Sequence, residues 1–400
     1  MSNIKPARDG ILTGRKLELF HAPSLPEWGY TEEQVDTFAV LHPADECLAG
    51  DDAGKKYPLY VVFHSAGHDV YTTIATVWQP GNHDIYHAPR EMFAVYLDCR
   101  QHEDKDWWWG GNSALEVLGE DRRGTKQQPV ENRAIATIKW VMENYPIDKN
   151  RVYAVGNSMG GSGALGIAMC RGDIFAAVKV NVPAGVRHMA DRCALDTEAT
   201  EGFRIPEPPV LVDYSAQDDE WSTGHQILYK GMREKKYALL GFWGKFGHAN
   251  NHEYIKTVND MIHAFDPFSL RLDEAYPVFT NATSDDKLPW GEDGTVLHEE
   301  AGQVNGFFRW GKVEETEKSA SVALRLLTPA EWESRVTFPT SSTADVTVRR
   351  LQKCRFTAGT SVAWEFGEKS GVVTADENGL VTVPGITVTA DEAVLKLTAE

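Results

Sequence analysis

An α/β fold, with a mostly parallel sheet covered by helices and followed by a C-terminal all-β sandwich, is what this 400-residue sequence predicts. Three observations lead there. Before residue 270, short apolar runs alternate with helix-length amphipathic stretches, the pattern of a parallel sheet buried on both faces. All eight Met lie at or before Met261, and Ile386 is the only Ile beyond Ile262. Past that break Val and Thr dominate, and short strand-like segments separated by Gly, Asp and Asn replace the helical periodicity. The expected division is a first domain over residues 1–268 and a second over 271–400, with Pro267 ending the last helix of the first.

The strand candidates of the first part are Leu59–Phe63, Phe93–Leu97, Val152–Val155, Ala176–Val182, Val210–Tyr214 and Tyr237–Trp243. Each is a short apolar run suited to a fully buried strand. The clearest helix is Glu131–Tyr145, where Ile135, Ile138, Val141, Met142 and Tyr145 share one face. In the second part the candidates are Ser321–Leu327, Val346–Arg349, Ser361–Phe366 and Leu380–Val383, with Glu377-Asn378-Gly379 as a turn.

Composition narrows the function classes. The formal charge is −18, with 37 acidic and 27 basic residues before position 271 and 21 and 13 from there on. No part offers the basic stripe that nucleic acid or an anionic membrane requires, so no nucleic-acid or membrane partner is expected. No run approaches the roughly 18 apolar residues of a membrane helix. The N-terminus has no apolar signal core, so the expected location is the cytoplasm, or outside the cell after removal of a leader. Cys47, Cys99, Cys170, Cys193 and Cys354 are odd in number, widely spaced and without CxxC, which argues against a disulfide framework and against a thiolate metal site. No metal and no organic cofactor is implied.

Gly156-Asn-Ser158-Met-Gly160 follows a buried-strand run and opens a small-residue helix, the context required of a nucleophile elbow. The turn is so tight that side chains at positions 156 and 160 would collide with neighbouring backbone, leaving Ser158 strained and exposed. Ser162, on the helix side, is read as packing. A nucleophilic Ser needs a base, an orienting acid and an oxyanion hole. Backbone NH groups of Ala66, in the loop after Leu59–Phe63, and of Met159 are the expected oxyanion donors, with His64 bracing the loop. After the strand Val210–Tyr214 come Asp218, Asp219 and Glu220, of which Asp218 is the expected acid and Asp219 the alternative. His248, in Gly-His directly after Tyr237–Trp243, is the expected base, with His252 a helix-surface or substrate-contact residue. The order Ser158, Asp218, His248 is the Ser–acid–His order of one fold and differs from the chymotrypsin and subtilisin orders. Trp107, Trp108 and Trp109 are adjacent and cannot all face one core, so at least one is expected to be exposed and to stack on substrate. The alternative is that they anchor the loop to the body. Trp221 is expected to line the pocket.

With these residues the chain resembles an α/β-hydrolase of the esterase type. It is most similar to the carbohydrate esterase family 1 group: feruloyl esterases, acetylxylan esterases and their esterase-D-like relatives. The resemblance rests on Tyr57-Pro-Leu-Tyr-Val-Val-Phe-His-Ser-Ala-Gly67, Ile147-Asp-Lys-Asn-Arg-Val-Tyr153, Gly156-Asn-Ser-Met-Gly-Gly161, Ser215-Ala-Gln-Asp218 and Gly247-His248, within residues 30–265. Ser65 stands where relatives usually have Gly. The resemblance implies a serine esterase acting on acetyl or feruloyl esters of xylan-like carbohydrate. A peptidase or thioesterase on the same fold is the alternative, and a carbohydrate-binding protein with a relict elbow is a third. The C-terminal sandwich is expected to be dispensable for the chemistry and to serve substrate presentation or assembly. The competing expectation is that it covers apolar surface on the first domain.

Overall fold

The computed structural model describes residues 4–30, 35–48, 54–79, 81–99, 108, 128–195, 207–217, 219, 221–248, 265–331 and 337–399. The first nine strands are β1 (Lys5–Leu12), β2 (Arg15–Pro23), β3 (Val35–Leu41), β4 (Tyr57–Phe63), β5 (Phe93–Tyr96), β6 (Ile147–Asn157), β7 (Ala177–Asn181), β8 (Val210–Ala216) and β9 (Leu239–Gly244). After β10 (Tyr276–Thr280), which belongs elsewhere, β11 (Gly302–Val304) returns to the same sheet. The sheet order is β1-β2-β3-β5-β4-β6-β7-β8-β9-β11. Strands β5 to β9 in this order run parallel, while β1, β2, β3 and β11 close the two sides antiparallel.

The central strands are mostly apolar because both faces are covered, with buried polar residues such as Lys179 in β7 and Asp213 in β8 as exceptions. Every residue of β4, including the run Tyr-Pro-Leu-Tyr-Val-Val-Phe, is buried. The described helices are α1 (Asp45–Leu48), α2 (Val70–Ala75), α3 (Pro129–Asn144), α4 (Met159–Gly163), α5 (Val186–Arg192) and α6 (His225–Glu234). Helix α3 opens with Pro129 in its first turn, where a missing N–H costs nothing. Glu131 reaches back to accept the Gln128 N–H at 2.5 Å. Its apolar stripe, Ala134, Ile135, Ile138 and Val141, packs with residues of α4, α5 and α6 on one face of the sheet.

Two antiparallel sheets follow, β10-β15-β18 and β12-β14-β19-β16-β17, with β13 (Glu314–Glu315) paired to β14. Here β12 is Phe308–Trp310, β14 Ser319–Leu326, β15 Ser341–Arg349, β16 Ser361–Phe366, β17 Lys369–Thr374, β18 Thr382–Thr389 and β19 Ala393–Ala399. Val278, Val346, Val383 and Ile386 of one sheet share an apolar cluster with Val322, Leu324, Val362, Leu395 and Leu397 of the other. Phe279 stacks on Phe308 at 4.0 Å between them.

That cluster does not stop at the second part. It continues into Tyr60, Val62, Tyr153, Val155, Val212 and Leu240 on the second face of the large sheet. Tyr276 donates to the Pro208 carbonyl at 2.9 Å and Tyr153 to that of Leu270 at 2.8 Å. The division expected between residues 268 and 271 therefore does not divide the sheets. Segment 302–304 is the tenth strand of the large sheet and pairs with β9. Residues of the C-terminal region thus lie against apolar side chains of the large sheet. A change in composition reports which secondary structure a stretch forms, and says nothing of which sheet it joins.

Candidate active site

Strand β6 passes into α4 through Ser158, whose φ of 55° and ψ of −120° mark a strained turn. A Cβ on Gly156 would lie 2.1 Å from the Gly160 carbonyl oxygen, and one on Gly160 would lie 2.0 Å from that of Phe63 in β4. Only Gly fits at either position. The serine backbone is tied on both sides: its N–H donates to the Asn181 carbonyl at 3.0 Å, and its own carbonyl accepts from Ala184 N–H at 3.0 Å. Ser162 is fully buried and donates to the Ala184 carbonyl, so it packs.

Strands β8 and β9 end beside this turn. Ser158 Oγ lies 2.7 Å from His248 Nε2, and His248 Nδ1 lies 2.5 Å from Asp219 Oδ2. A carboxylate only accepts, so Nδ1 carries the proton and Nε2 accepts from the serine hydroxyl. The Asp219 side chain is 1% exposed and that of His248 29%. Asp219 is fixed by its neighbours, its Oδ1 accepting from Trp221 N–H and its carbonyl from Ser222 N–H, each at 2.9 Å. Asp218, the expected acid, lies outside the described residues, and the carboxylate that meets His248 belongs to Asp219. Gln217 N–H still bonds the Gly244 carbonyl at 3.1 Å, which carries the ladder with β9 to within two residues of Asp219.

The loop after β4 approaches from the other side. Ser65 N–H donates to Tyr86 Oη at 2.9 Å, so that amide is occupied. Ala66 is exposed, and neither its N–H nor that of Met159 has a partner among the described residues. The Ser65 hydroxyl sits 2.5 Å from Tyr86 Oη and 2.9 Å from the Asn157 carbonyl, while Asn157 Nδ2 donates to it at 2.9 Å. The side chain that replaces Gly in this loop thus bolts it to the residue before the elbow serine. Burial pushes the Tyr86 phenol up to about 12, so it stays neutral. His64 is 1% exposed, with Nδ1 against the Ser65 carbonyl and Nε2 against Cys99 N–H, a brace and no reagent.

Trp108 corrects the expectation placed on it. It is 1% exposed, its Nε1 donates to the His64 carbonyl at 3.0 Å, and its indole lies against Gly163, where a Cβ would come 2.7 Å from Cγ. An indole wedged into the core cannot stack on substrate. Trp107, Trp109 and His252 lie outside the described residues. Trp221, next but one to Asp219, is 55% exposed. Tyr86 and the roles of Asn157 and Gln217 escaped the sequence reading; Ser65 was marked there only as an odd residue in a loop otherwise matched by motif. Among the described residues no group of three or more His, Cys, Asp or Glu is placed to hold a metal ion.

A family model described as "Putative esterase" matches residues 53–299, more than half of the chain. The chain belongs to that esterase family and is a carboxylic ester hydrolase. No curated protein matches the sequence significantly. Among solved structures, an S-formylglutathione hydrolase from Agrobacterium tumefaciens is similar at 16% identity, over 63% of this chain and 95% of that one, with a TM-score of 0.43. A fluorophosphonate-binding serine hydrolase from Staphylococcus aureus is similar at 13% identity, over 61% and 96%, with a TM-score of 0.42. A CE1 ferulic acid esterase from Anaeromyces mucronatus is similar at 17% identity, over 63% and 88%, with a TM-score of 0.37.

Proposed function

We propose that the protein is a serine esterase that removes acetyl or feruloyl groups from neutral, xylan-like carbohydrate, on an α/β-hydrolase fold completed by a C-terminal β-sandwich. The observation that carries the mechanism is the unbroken hydrogen-bonded line Ser158–His248–Asp219. His248 Nε2 takes the Ser158 proton as Oγ attacks the ester carbonyl, and the amides of Met159 and Ala66 receive the developing oxyanion. The same proton passes to the departing alcohol. Water, deprotonated by His248, then cleaves the acyl-enzyme, and Asp219 holds the imidazole in the required tautomer throughout. Sugar as acyl carrier is supported by the exposed Trp221 indole beside Asp219 and by a net charge of −18, which repels anionic polymers.

The chemistry is tested with p-nitrophenyl acetate and a fluorophosphonate label. Wild type is expected to hydrolyse the ester and to be labelled at Ser158, and Ser158→Ala to do neither. Absence of both in wild type sinks the reading. The substrate class is tested by kcat/KM on an acetylated xylo-oligosaccharide, methyl ferulate and a peptide amide. Trp221→Ala is expected to weaken the sugar ester far more than p-nitrophenyl acetate. Equal losses on both would remove the carbohydrate assignment.

A further inference from the structure

We infer that Trp290, from beyond the compositional break, is a positioning residue for the catalytic acid and thereby for His248, an inference that rests on the esterase reading above. The loop that carries Asp219 is held at both ends by one buried assembly. At its start, the Gln217 carbonyl accepts the Trp290 indole N–H at 2.9 Å, and the Gln217 side-chain amide donates to the Glu300 carbonyl. That carbonyl also accepts the Trp243 indole N–H at 3.1 Å, so the start of the acid loop and the end of β9 share one anchor. At its far end, the Ser222 hydroxyl donates to the Pro183 carbonyl. The Ser222 carbonyl accepts from His225 Nδ1 at 2.9 Å.

His225 closes the circuit. It is 1% exposed and stacks on Trp290 with ring centroids 4.9 Å apart and planes 16° apart. Its Nε2 lies 2.5 Å from Ser215 Oγ, which donates to Asp213 Oδ2 at 2.7 Å, and Tyr229 donates to the same oxygen at 3.0 Å. Asp213, Ser215 and His225 have the composition of a triad, but all are sealed in the core and serve as a frame. Both loops that must meet at Ser158 leave β8 and β9, and one indole touches the frame of each: Trp290 packs against His225 and, at 6.0 Å, Trp243. Ser158 is fixed by β6, β7 and α4 and, among the described residues, meets this assembly only through Ala184, the neighbour of Pro183, on the side away from the Trp290–Gln217 bond. Loss of Trp290 therefore displaces the acid and the base while leaving the nucleophile in place.

The test uses the full chain with Trp290→Ala, Trp290→Phe and Gln217→Leu. A displacement of about 1 Å is expected to lower kcat of Trp290→Ala on p-nitrophenyl acetate by about 10- to 100-fold, with KM within about twofold of wild type. Withdrawal of the carboxylate destabilises the imidazolium, so the acid limb of the kcat/KM profile moves to lower pH. Trp290→Phe keeps the stack and loses the N–H, and is expected to fall between wild type and Trp290→Ala. A folded Trp290→Ala protein with wild-type kcat and acid limb overturns the inference, as does a fall in kcat with no movement of that limb. Should Trp290→Ala not fold, Trp290→Phe and Gln217→Leu decide: wild-type values in both overturn it. The His248 imidazole titration, followed by NMR against Asp219→Asn as the reference for a lost carboxylate, separates this inference from the esterase reading. Inactive wild type with a His248 shift in the Trp290 variants would end the esterase reading and keep the positioning claim; no shift would end the positioning claim.

Discussion

Asp219 presents a sheltered carboxylate to a half-open imidazole, so its loss removes both the tautomer and the charge on which His248 depends. Asp219→Asn is expected to lower kcat by about four orders of magnitude, as for triad acids in general. Asp218→Asn is expected to remain near wild type. Steady-state assays on a small ester check both, and the reverse pattern would return the role to Asp218. Ser65→Ala leaves Tyr86 Oη and the Asn157 amide without their shared partner in a buried place. It is expected to cost about 1–3 kcal/mol of unfolding free energy in urea titrations. Ser158 and His248 were legible in the sequence because each follows a buried-strand run at a sharp turn. The choice between Asp218 and Asp219 was not, because one residue of turn depends on where the β8 ladder ends. Three neighbouring tryptophans look alike in a sequence, and the burial of Trp108 follows from the bare backbone of Gly163 against which it lies.

At the level of elements, apolar run and periodicity located every strand proposed in the first part, the widest miss being Val152–Val155 for the longer β6 (Ile147–Asn157). They failed where a strand survived a breaker. The candidate Leu380–Val383 ends ahead of Pro384-Gly385, whereas β18 runs through that pair from Thr382 to Thr389. The pair forms a bulge opposite Asp345, with Gly385 at φ 65° and its N–H donating to Asp345 Oδ1 at 3.0 Å. The three-residue β11 was equally unreadable, since its pairing, Gly302 with Trp243 and Val304 with Gly241, is fixed by a strand far away in the sequence. Between β10 and β11, burial and the nearby Asp286 push the Asp285 carboxyl from 3.8 up to about 7, while its Oδ1 accepts Asn305 N–H at 2.8 Å. A carboxyl raised in the folded state favours folding while protonated. Its contribution is whole below pH 3.8 and is lost as pH rises through about 7. Asp285→Asn keeps the acceptor and cannot ionise. Its Tm is expected to match wild type near pH 4 and to exceed it near pH 8, by scanning calorimetry; equal Tm at both would place the carboxyl outside this balance.

For the molecule as a whole, a chain ending at Pro267 lacks the strand that pairs β9 and the sheets that cover Tyr60, Tyr153, Val155 and Val212. Such a chain is expected to be insoluble or to bind a hydrophobic dye strongly, and a soluble, active product would show that the second face needs no cover.

The shared core also sets a timetable. Much of the cover on the second face of the large sheet comes from residues beyond 275, which are made after the strands they cover. At about 5–20 residues per second, synthesis of the final third takes on the order of ten seconds, during which the emerged sheet carries a bare apolar face and an open edge at β9. The large sheet therefore reaches its final packing only once those residues have been made. The acid and base loops, tied to Trp290 and Glu300, gain their anchors only after residue 300 has been made.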